Sequence, residues 1–193
     1  MIGTKATPEN VESWRKLWDP ENFLTGANLP ILWVTGTNDF AFTLRAWQLS
    51  YRAAPGPHTL CLRERMKHGH NGPWETPEEM CVFADSITRQ GMPLAIISKP
   101  EQNGKTAVST YAYASPIKEA SLNFTCDSGT WQQRKRESVP AQLAPDPVSA
   151  AVPETATAYF FTLKDGRGLL VTSEHVSATL PEQPSSSAPL PGS

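Results

Sequence analysis

The fold is decided by residues 29–39, which are Leu-Pro-Ile-Leu-Trp-Val-Thr-Gly-Thr-Asn-Asp. The first part of this stretch is a nearly continuous apolar run with β-branched members. Such a run is typical of a strand that is buried on both faces of a parallel sheet. The second part, from Gly36 to Asp39, consists of turn-forming residues and predicts a loop where that strand ends. The stretch therefore indicates an α/β arrangement with an acidic side chain at the carboxyl edge of the sheet.

Two helices and a second strand are predicted around this stretch. Apolar residues at helical spacing indicate one helix over residues 8–18 and another from Thr43 to about residue 54. Residues 59–66 predict the second strand, and residues 68–73 predict the loop after it. Because one helix links the two strands, a right-handed crossover would make them parallel neighbours.

The next helix has clear boundary signals in the sequence. Thr76 is a good N-cap, Pro77 suits the first helical position, and Glu79 completes a capping box. Gly91 is placed to end the helix. The order strand, helix, strand, helix predicts that residues 1–92 are the C-terminal portion of an α/β domain.

After Pro93 the hydrophobic period changes from helical to two, which predicts a run of short strands. Asp165-Gly166 between two apolar runs is a strong hairpin signal. We therefore expect an all-β, immunoglobulin-like sandwich over 93–179 and a disordered Pro/Ser-rich tail over 180–193. The predicted strands are 106–113, 118–125, 130–136, 148–152, 156–163 and 168–174.

Composition argues against several classes of partner and cofactor. The 193 residues carry a formal net charge of −2, so no global basic field predicts nucleic-acid binding. The basic cluster at 134–136 is short, and we interpret it as a solvated strand or loop. No apolar run is long enough to predict a membrane span. The three cysteines form no C-x-x-C pair, so neither a metal site nor any cofactor is predicted.

Asp39 and His70 are the predicted catalytic pair, because each follows a predicted parallel strand. A carboxylate there can accept a hydrogen bond from one imidazole nitrogen and leave the other free to take a proton. His68 is the alternative base. A structural role for Asp39, as a turn former or a helix cap, stays open. Trp74 could line a substrate pocket or simply pack its loop onto the protein.

Residues 30–42 and 65–79 resemble two loops of a known enzyme family. The first resembles the acid-bearing strand and loop of bacterial α/β-hydrolases of the acetylxylan-esterase, dienelactone-hydrolase and prolyl-oligopeptidase-like group. The second is similar to that group's histidine loop and final helix. The resemblance implies a serine esterase in which Asp39 is the triad acid and His70 or His68 the base. It also implies a C-terminal immunoglobulin-like domain and, for the full-length relatives, secretion or a periplasmic location.

The chain departs from that family in one respect. No Gly-x-Ser-x-Gly nucleophile elbow occurs, and only 38 residues precede Asp39. Ser50 lies inside a predicted helix and Ser128 inside the predicted sandwich, so neither has the context of an elbow. The sequence therefore predicts a serine-hydrolase fragment that is inactive alone.

Three hypotheses follow for the function. The first is the distal part of a serine esterase whose missing N-terminal half carries the nucleophile, with an ester substrate such as an acetylated carbohydrate. The second is a non-catalytic binding module in which the β-sandwich is the functional part. The third is a two-chain enzyme whose N-terminal half is encoded separately.

Overall fold

We describe the protein from a computed structural model, over residues 7–66, residue 68 and residues 77–177. The described chain is mainly β-sheet with a few helices. The helices are α1 (Pro8–Trp18), α2 (Glu21–Leu24), α3 (Leu44–Ala53) and α4 (Glu78–Thr88). The strands are β1 (Ile31–Gly36), β2 (His58–Arg63), β3 (Ile96–Ile97), β4 (Glu101–Asn103), β5 (Thr106–Ser109), β6 (Tyr111–Ala112), β7 (Ile117–Thr125), β8 (Glu137–Pro140), β9 (Gln142–Leu143), β10 (Val148–Ala151), β11 (Ala158–Asp165), β12 (Leu170–Thr172) and β13 (Val176–Ser177).

The main sheet is mixed and has the order β1-β2-β12-β11-β7-β8, with β13 paired to β11. Strands β1 and β2 are parallel, with Gly36 opposite Arg63 at their carboxyl ends. Strand β12 then lies antiparallel to β2, with Thr172 opposite Leu60. The Thr172 hydroxyl also accepts a hydrogen bond from the Leu62 N–H at 3.1 Å. One continuous sheet therefore contains strands from both predicted halves of the chain.

Two apolar clusters fill the core. The larger lies between the main sheet and a second sheet of order β4-β5-β10-β9, and includes Leu122, Phe161 and Val148. The smaller packs α3 against the main sheet, with Trp47 and Tyr51 contacting the surface that includes Phe160 of β11. Burial of large side chains such as these dominates the stability of a fold of this size.

This architecture corrects the predicted fold class. A partial α/β-hydrolase sheet followed by a separate immunoglobulin-like sandwich is wrong, because the sheet of the expected sandwich continues directly into β1 and β2. Strand β12 covers the edge of β2 that faces away from β1. The boundary between residues 92 and 93 stays a prediction, and strands on its two sides share hydrogen bonds.

Candidate functional site

The candidate site lies where β1 and β2 end. Their parallel pairing makes the two following segments leave from the same edge of the sheet. Gly36 allows the second segment to cross close to the first, because a Cβ on Gly36 would lie only 2.4 Å from the Met66 carbonyl oxygen. The Arg65 N–H donates to the Thr37 hydroxyl at 3.0 Å and fixes this crossing. The segment that carries His68 is thereby held against the loop that carries Asp39.

Asp39 uses both carboxylate oxygens. Oδ1 accepts hydrogen bonds from the backbone N–H groups of Ala41 and Phe42, each at 2.8 Å. Oδ2 lies 2.9 Å from Nδ1 of His68. The Asp39 side chain is 10% exposed and that of His68 is 34% exposed, so the pair is sheltered at the carboxylate and open at the imidazole.

Hydrogen bonding keeps this carboxylate ionised. Burial raises the pKa of Asp39, but the hydrogen bonds from the Phe42 N–H, from His68 and from the Ala41 N–H together outweigh it. The net pKa is lower than that of an ordinary aspartate.

Of the predicted site residues, the structure brings Asp39 and His68 together. His70 and Trp74 lie outside the described residues, so a role for either stays a prediction. Ser50, already set aside on sequence grounds, lies within α3, and its hydroxyl donates to the Ala46 carbonyl at 2.9 Å. Within the described part of the chain, no hydrogen bond is made by the second ring nitrogen of His68.

Two phenylalanines border the imidazole. They are Phe40 and Phe42 of the acid loop. The structure leaves these side chains 70% and 63% exposed, with ring centroids 5.0 Å and 5.8 Å from that of His68. They form an apolar rim around the open side of the imidazole. Their position on either side of Ala41, directly after Asp39, was the sequence signal that could have identified them.

A distant segment holds the backbone of the acid loop. Gln132 Nε2 donates to the Asp39 carbonyl at 3.1 Å, and Arg136 Nη2 donates to the Thr37 carbonyl at 3.3 Å. The predicted strand over 130–136 is wrong, because residues 131–133 form a turn and β8 begins only at Glu137. The sequence analysis missed these residues because nothing local shows that they reach a loop more than ninety positions away.

Comparisons with known proteins were made against families, curated proteins and solved structures. No family model and no curated protein matches the chain. Among solved structures, pectate lyase Pel3 from Pectobacterium carotovorum is 11% identical, with a TM-score of 0.31, over 50% of this chain and 29% of its own. Pectate lyase PelI from Erwinia chrysanthemi, in complex with tetragalacturonic acid, is 12% identical, with a TM-score of 0.27, over 44% of this chain and 27% of its own.

The chain thus spans less than a third of these lyases, and TM-scores this low carry neither their fold nor their activity to it. The predicted membership of the α/β-hydrolase group, with its immunoglobulin-like domain, is wrong. The main sheet overturns it, because β2 pairs with the antiparallel β12 of the expected sandwich and not with a further strand of an α/β sheet. The interpretation of the chain as a serine-hydrolase fragment is therefore wrong as well. So is a binding module built on a separate sandwich, because that sheet is continuous with β1 and β2. An ester substrate, an acetylated carbohydrate and an N-terminal half stay untested predictions.

None of the helices in residues 7–66 and 77–177 has the length and apolar character that crossing a membrane requires. Within the same ranges and residue 68, histidine, cysteine and carboxylate side chains form no group of three or more that could hold a metal ion.

Proposed function

We propose that Asp39 and His68 form a general-base pair that takes a proton from a hydroxyl group or water molecule bound at the free nitrogen of the imidazole. The observation that carries this proposal is the 2.9 Å contact between Asp39 Oδ2 and His68 Nδ1. A carboxylate in that position holds the proton of the neutral ring on Nδ1 and leaves Nε2 as the acceptor. The low pKa of Asp39 supports the proposal, because the carboxylate stays charged when the ring takes up a proton.

The imidazole first takes up a proton and then returns it. Nε2 accepts it from the bound O–H, and Asp39 stabilises the imidazolium that results. The oxygen gains nucleophilic character, and the imidazolium can then return the proton to a leaving group. The Phe40 and Phe42 rings, which are exposed beside the imidazole, provide an apolar surface next to the ring that takes up the proton.

The variant Asp39→Asn tests the proposal through the tautomer of His68. Asn Oδ1 can keep the two backbone hydrogen bonds from Ala41 and Phe42. Its NH₂ group then faces Nδ1, which must accept, so the ring proton moves to Nε2. We expect ¹⁵N NMR of the histidine rings to show an unprotonated Nε2 in the neutral wild type and a protonated Nε2 in the variant.

A chemical readout accompanies the spectrum. Diethyl pyrocarbonate reacts with an unprotonated ring nitrogen, and peptide mass spectrometry resolves the site. We expect Asp39→Asn to slow modification of His68 by about tenfold, since a tautomer preference of about 1.4 kcal/mol, typical of one hydrogen bond to a charged group, changes the population of unprotonated Nε2 about tenfold. The matched control is Asp19→Asn, because Asp19 Oδ1 also accepts a backbone N–H, that of Glu21 at the start of α2. A wild-type ring already protonated on Nε2, or equal rates in all three proteins, would contradict the proposal.

A further inference from the structure

The basic cluster of the sequence is not a solvated strand, because two of its arginines fold inward. Arg134 and Arg136 are both half-buried. The guanidinium carbon of Arg134 lies 3.9 Å from the centroid of the Trp131 ring, and that of Arg136 lies 5.4 Å from it. The indole therefore fixes the positions of two like charges at one place on the surface.

The protein holds both guanidinium groups with uncharged acceptors. Arg134 donates through Nε and Nη2 to the Gly129 carbonyl at 3.0 Å and 2.9 Å. Arg136 donates through Nη2 to the Thr37 carbonyl at 3.3 Å. Each arginine carries five N–H donors, so each retains donors for which the described residues supply no acceptor.

No carboxylate neutralises the pair. Asp127 acts on Arg134 and Glu64 on Arg136 only from a distance, and among the described residues neither arginine forms an ion pair. Burial first, and then the charge of Arg134, lowers the pKa of Arg136 to about 10, with Glu64 opposing and Arg65 adding to the effect. Both guanidinium groups stay charged at neutral pH, so the cluster has an excess of positive charge.

The arginine cluster adjoins the Asp39–His68 pair. Arg136 is bonded to the carbonyl of Thr37, and the neighbouring Gln132 to that of Asp39. Two residues of chain span at most about 7 Å, so the backbone positions held by Arg136 and Gln132 lie no farther apart than that. Open space is available on the other side, where Arg134 borders a polar groove of about 430 Å³ lined by Cys126–Thr130 and Gln133.

We propose that Arg134 and Arg136, held by Trp131, bind an anionic group of the ligand whose hydroxyl is bound at His68. This inference rests on the proposed function for its ligand and names the class: a hydroxylated compound that carries a carboxylate or a phosphate. Planar guanidinium groups with free, parallel N–H donors bind both kinds of oxyanion. The choice of probe distinguishes a phosphate from a carboxylate.

The test is an NMR titration of the full chain at low ionic strength, where screening is weak. The probes are inorganic phosphate and glucuronate, with glucose as the neutral counterpart. We expect saturable shifts of the Arg134 and Arg136 Nε–Hε signals and of the Trp131 indole with at least one anion, and none with glucose. The anion that binds identifies the group. Equal shifts with glucose, or no saturation with either anion, would overturn the proposal.

Variants locate the binding. We expect Arg136→Gln to weaken anion binding about tenfold, as loss of a charge-assisted hydrogen bond does. Arg89→Gln is the matched control, because Arg89 is 78% exposed and pairs with Asp85 on α4. Equal weakening in both variants would show a general charge effect and overturn the proposal. Arg134→Gln provides the same comparison if Arg136→Gln does not fold.

One further variant separates the two proposals. Asp39→Asn disables the base but leaves Arg134 and Arg136 in place, so we expect it to bind the anion within about twofold of wild type, which corresponds to less than 1 kcal/mol. Loss of the anion in Asp39→Asn would overturn the separate subsite. If Asp39→Asn shows the expected change of the His68 tautomer but the wild type binds neither anion, the proposed general base stands and the anion subsite is rejected.

Discussion

His175 is an imidazole buried where it cannot hold a proton easily. It is 5% exposed and lies between Trp47 and Trp131, with ring centroids 6.5 Å and 5.8 Å away. Its Nδ1 has no hydrogen-bond partner among the described residues. Burial first, and then the charges of Arg136, Arg52 and Arg45, lowers its pKa to about 4. The folded state therefore requires this ring to be neutral.

Acid should destabilise the protein through His175. Between pH 6.5 and about 4 the unfolded chain binds a proton at this residue and the folded chain does not, so the free energy of unfolding falls as the pH falls. The full loss is roughly 3 kcal/mol, and the contribution is constant above pH 6.5. Urea denaturation of wild type and His175→Phe at pH 7 and pH 4.5 measures it. If the free energy of unfolding differs between the two pH values by the same amount in His175→Phe as in wild type, this role is disproved.

At the residue scale, the sequence located the loop that carries Asp39 but left open which histidine lies beside its carboxylate. A turn-rich loop after a buried parallel strand is a local pattern, and it correctly placed Asp39 at the sheet edge. The choice between His68 and His70 depends on how one loop turns, which spacing does not determine. The support from Gln132 and Arg136 depends on a tertiary contact between distant segments, and no local signal carries it.

Glu79 joins α4 to the main sheet. Its carboxylate is 2% exposed and pairs with Arg63 of β2, while Oε1 accepts from the Leu170 N–H of β12 at 2.8 Å. Both carboxylate oxygens of Glu79 are therefore used by the sheet, while Thr76, the other half of the predicted capping box, lies outside the described residues. A buried carboxylate must be paired to be tolerated, and Arg63 supplies the charge.

Replacement of Glu79 should uncouple these elements. We expect Glu79→Gln to lower the free energy of unfolding by about 3 kcal/mol, because Arg63 is left half-buried without its anion. The control is Glu78→Gln, one residue earlier and exposed, which should change it by less than about 0.5 kcal/mol. Chemical denaturation followed by circular dichroism measures both. Similar small losses in the two variants would rule out the proposed coupling.

Element boundaries were predicted well where the signals are local. Helix α1 spans the predicted residues 8–18, and α3 begins directly after Thr43, whose hydroxyl accepts from the Ala46 N–H. The Asp165-Gly166 hairpin is present between β11 and β12. The predicted strand over 130–136 is wrong because its alternating pattern belongs to a turn and the residues after it. There Gln132 donates to the Asp39 carbonyl, and Arg134 lies over the Trp131 ring.

On the scale of the whole molecule, strand partners were the part that sequence could not predict. Period-two patterns predict that a segment is a strand but leave its neighbour open. Strand β12 is only three residues long, yet its place beside β2 joins the parallel pair to the antiparallel strands. A pairing between residues more than one hundred positions apart leaves no local pattern, and the predicted two-part architecture failed for that reason.

Phe160 offers the sharpest test of this joined architecture. It belongs to β11, is 3% exposed, and packs into the cluster formed by α3 and β2. We expect Phe160→Ala to lower the free energy of unfolding by about 3–5 kcal/mol, the usual loss for a large core aromatic.

The loss should appear in one transition, because strands from both halves of the chain share the main sheet. Tryptophan fluorescence reports largely on the N-terminal half, where most of the indoles lie, and far-ultraviolet circular dichroism reports on the strands. The two curves should coincide in wild type and shift together in the variant. Phe42→Ala, at an exposed ring, should leave both midpoints nearly unchanged. Two separate transitions, with only one displaced by Phe160→Ala, would instead mean that the halves fold independently and that the β2–β12 pairing contributes little to stability.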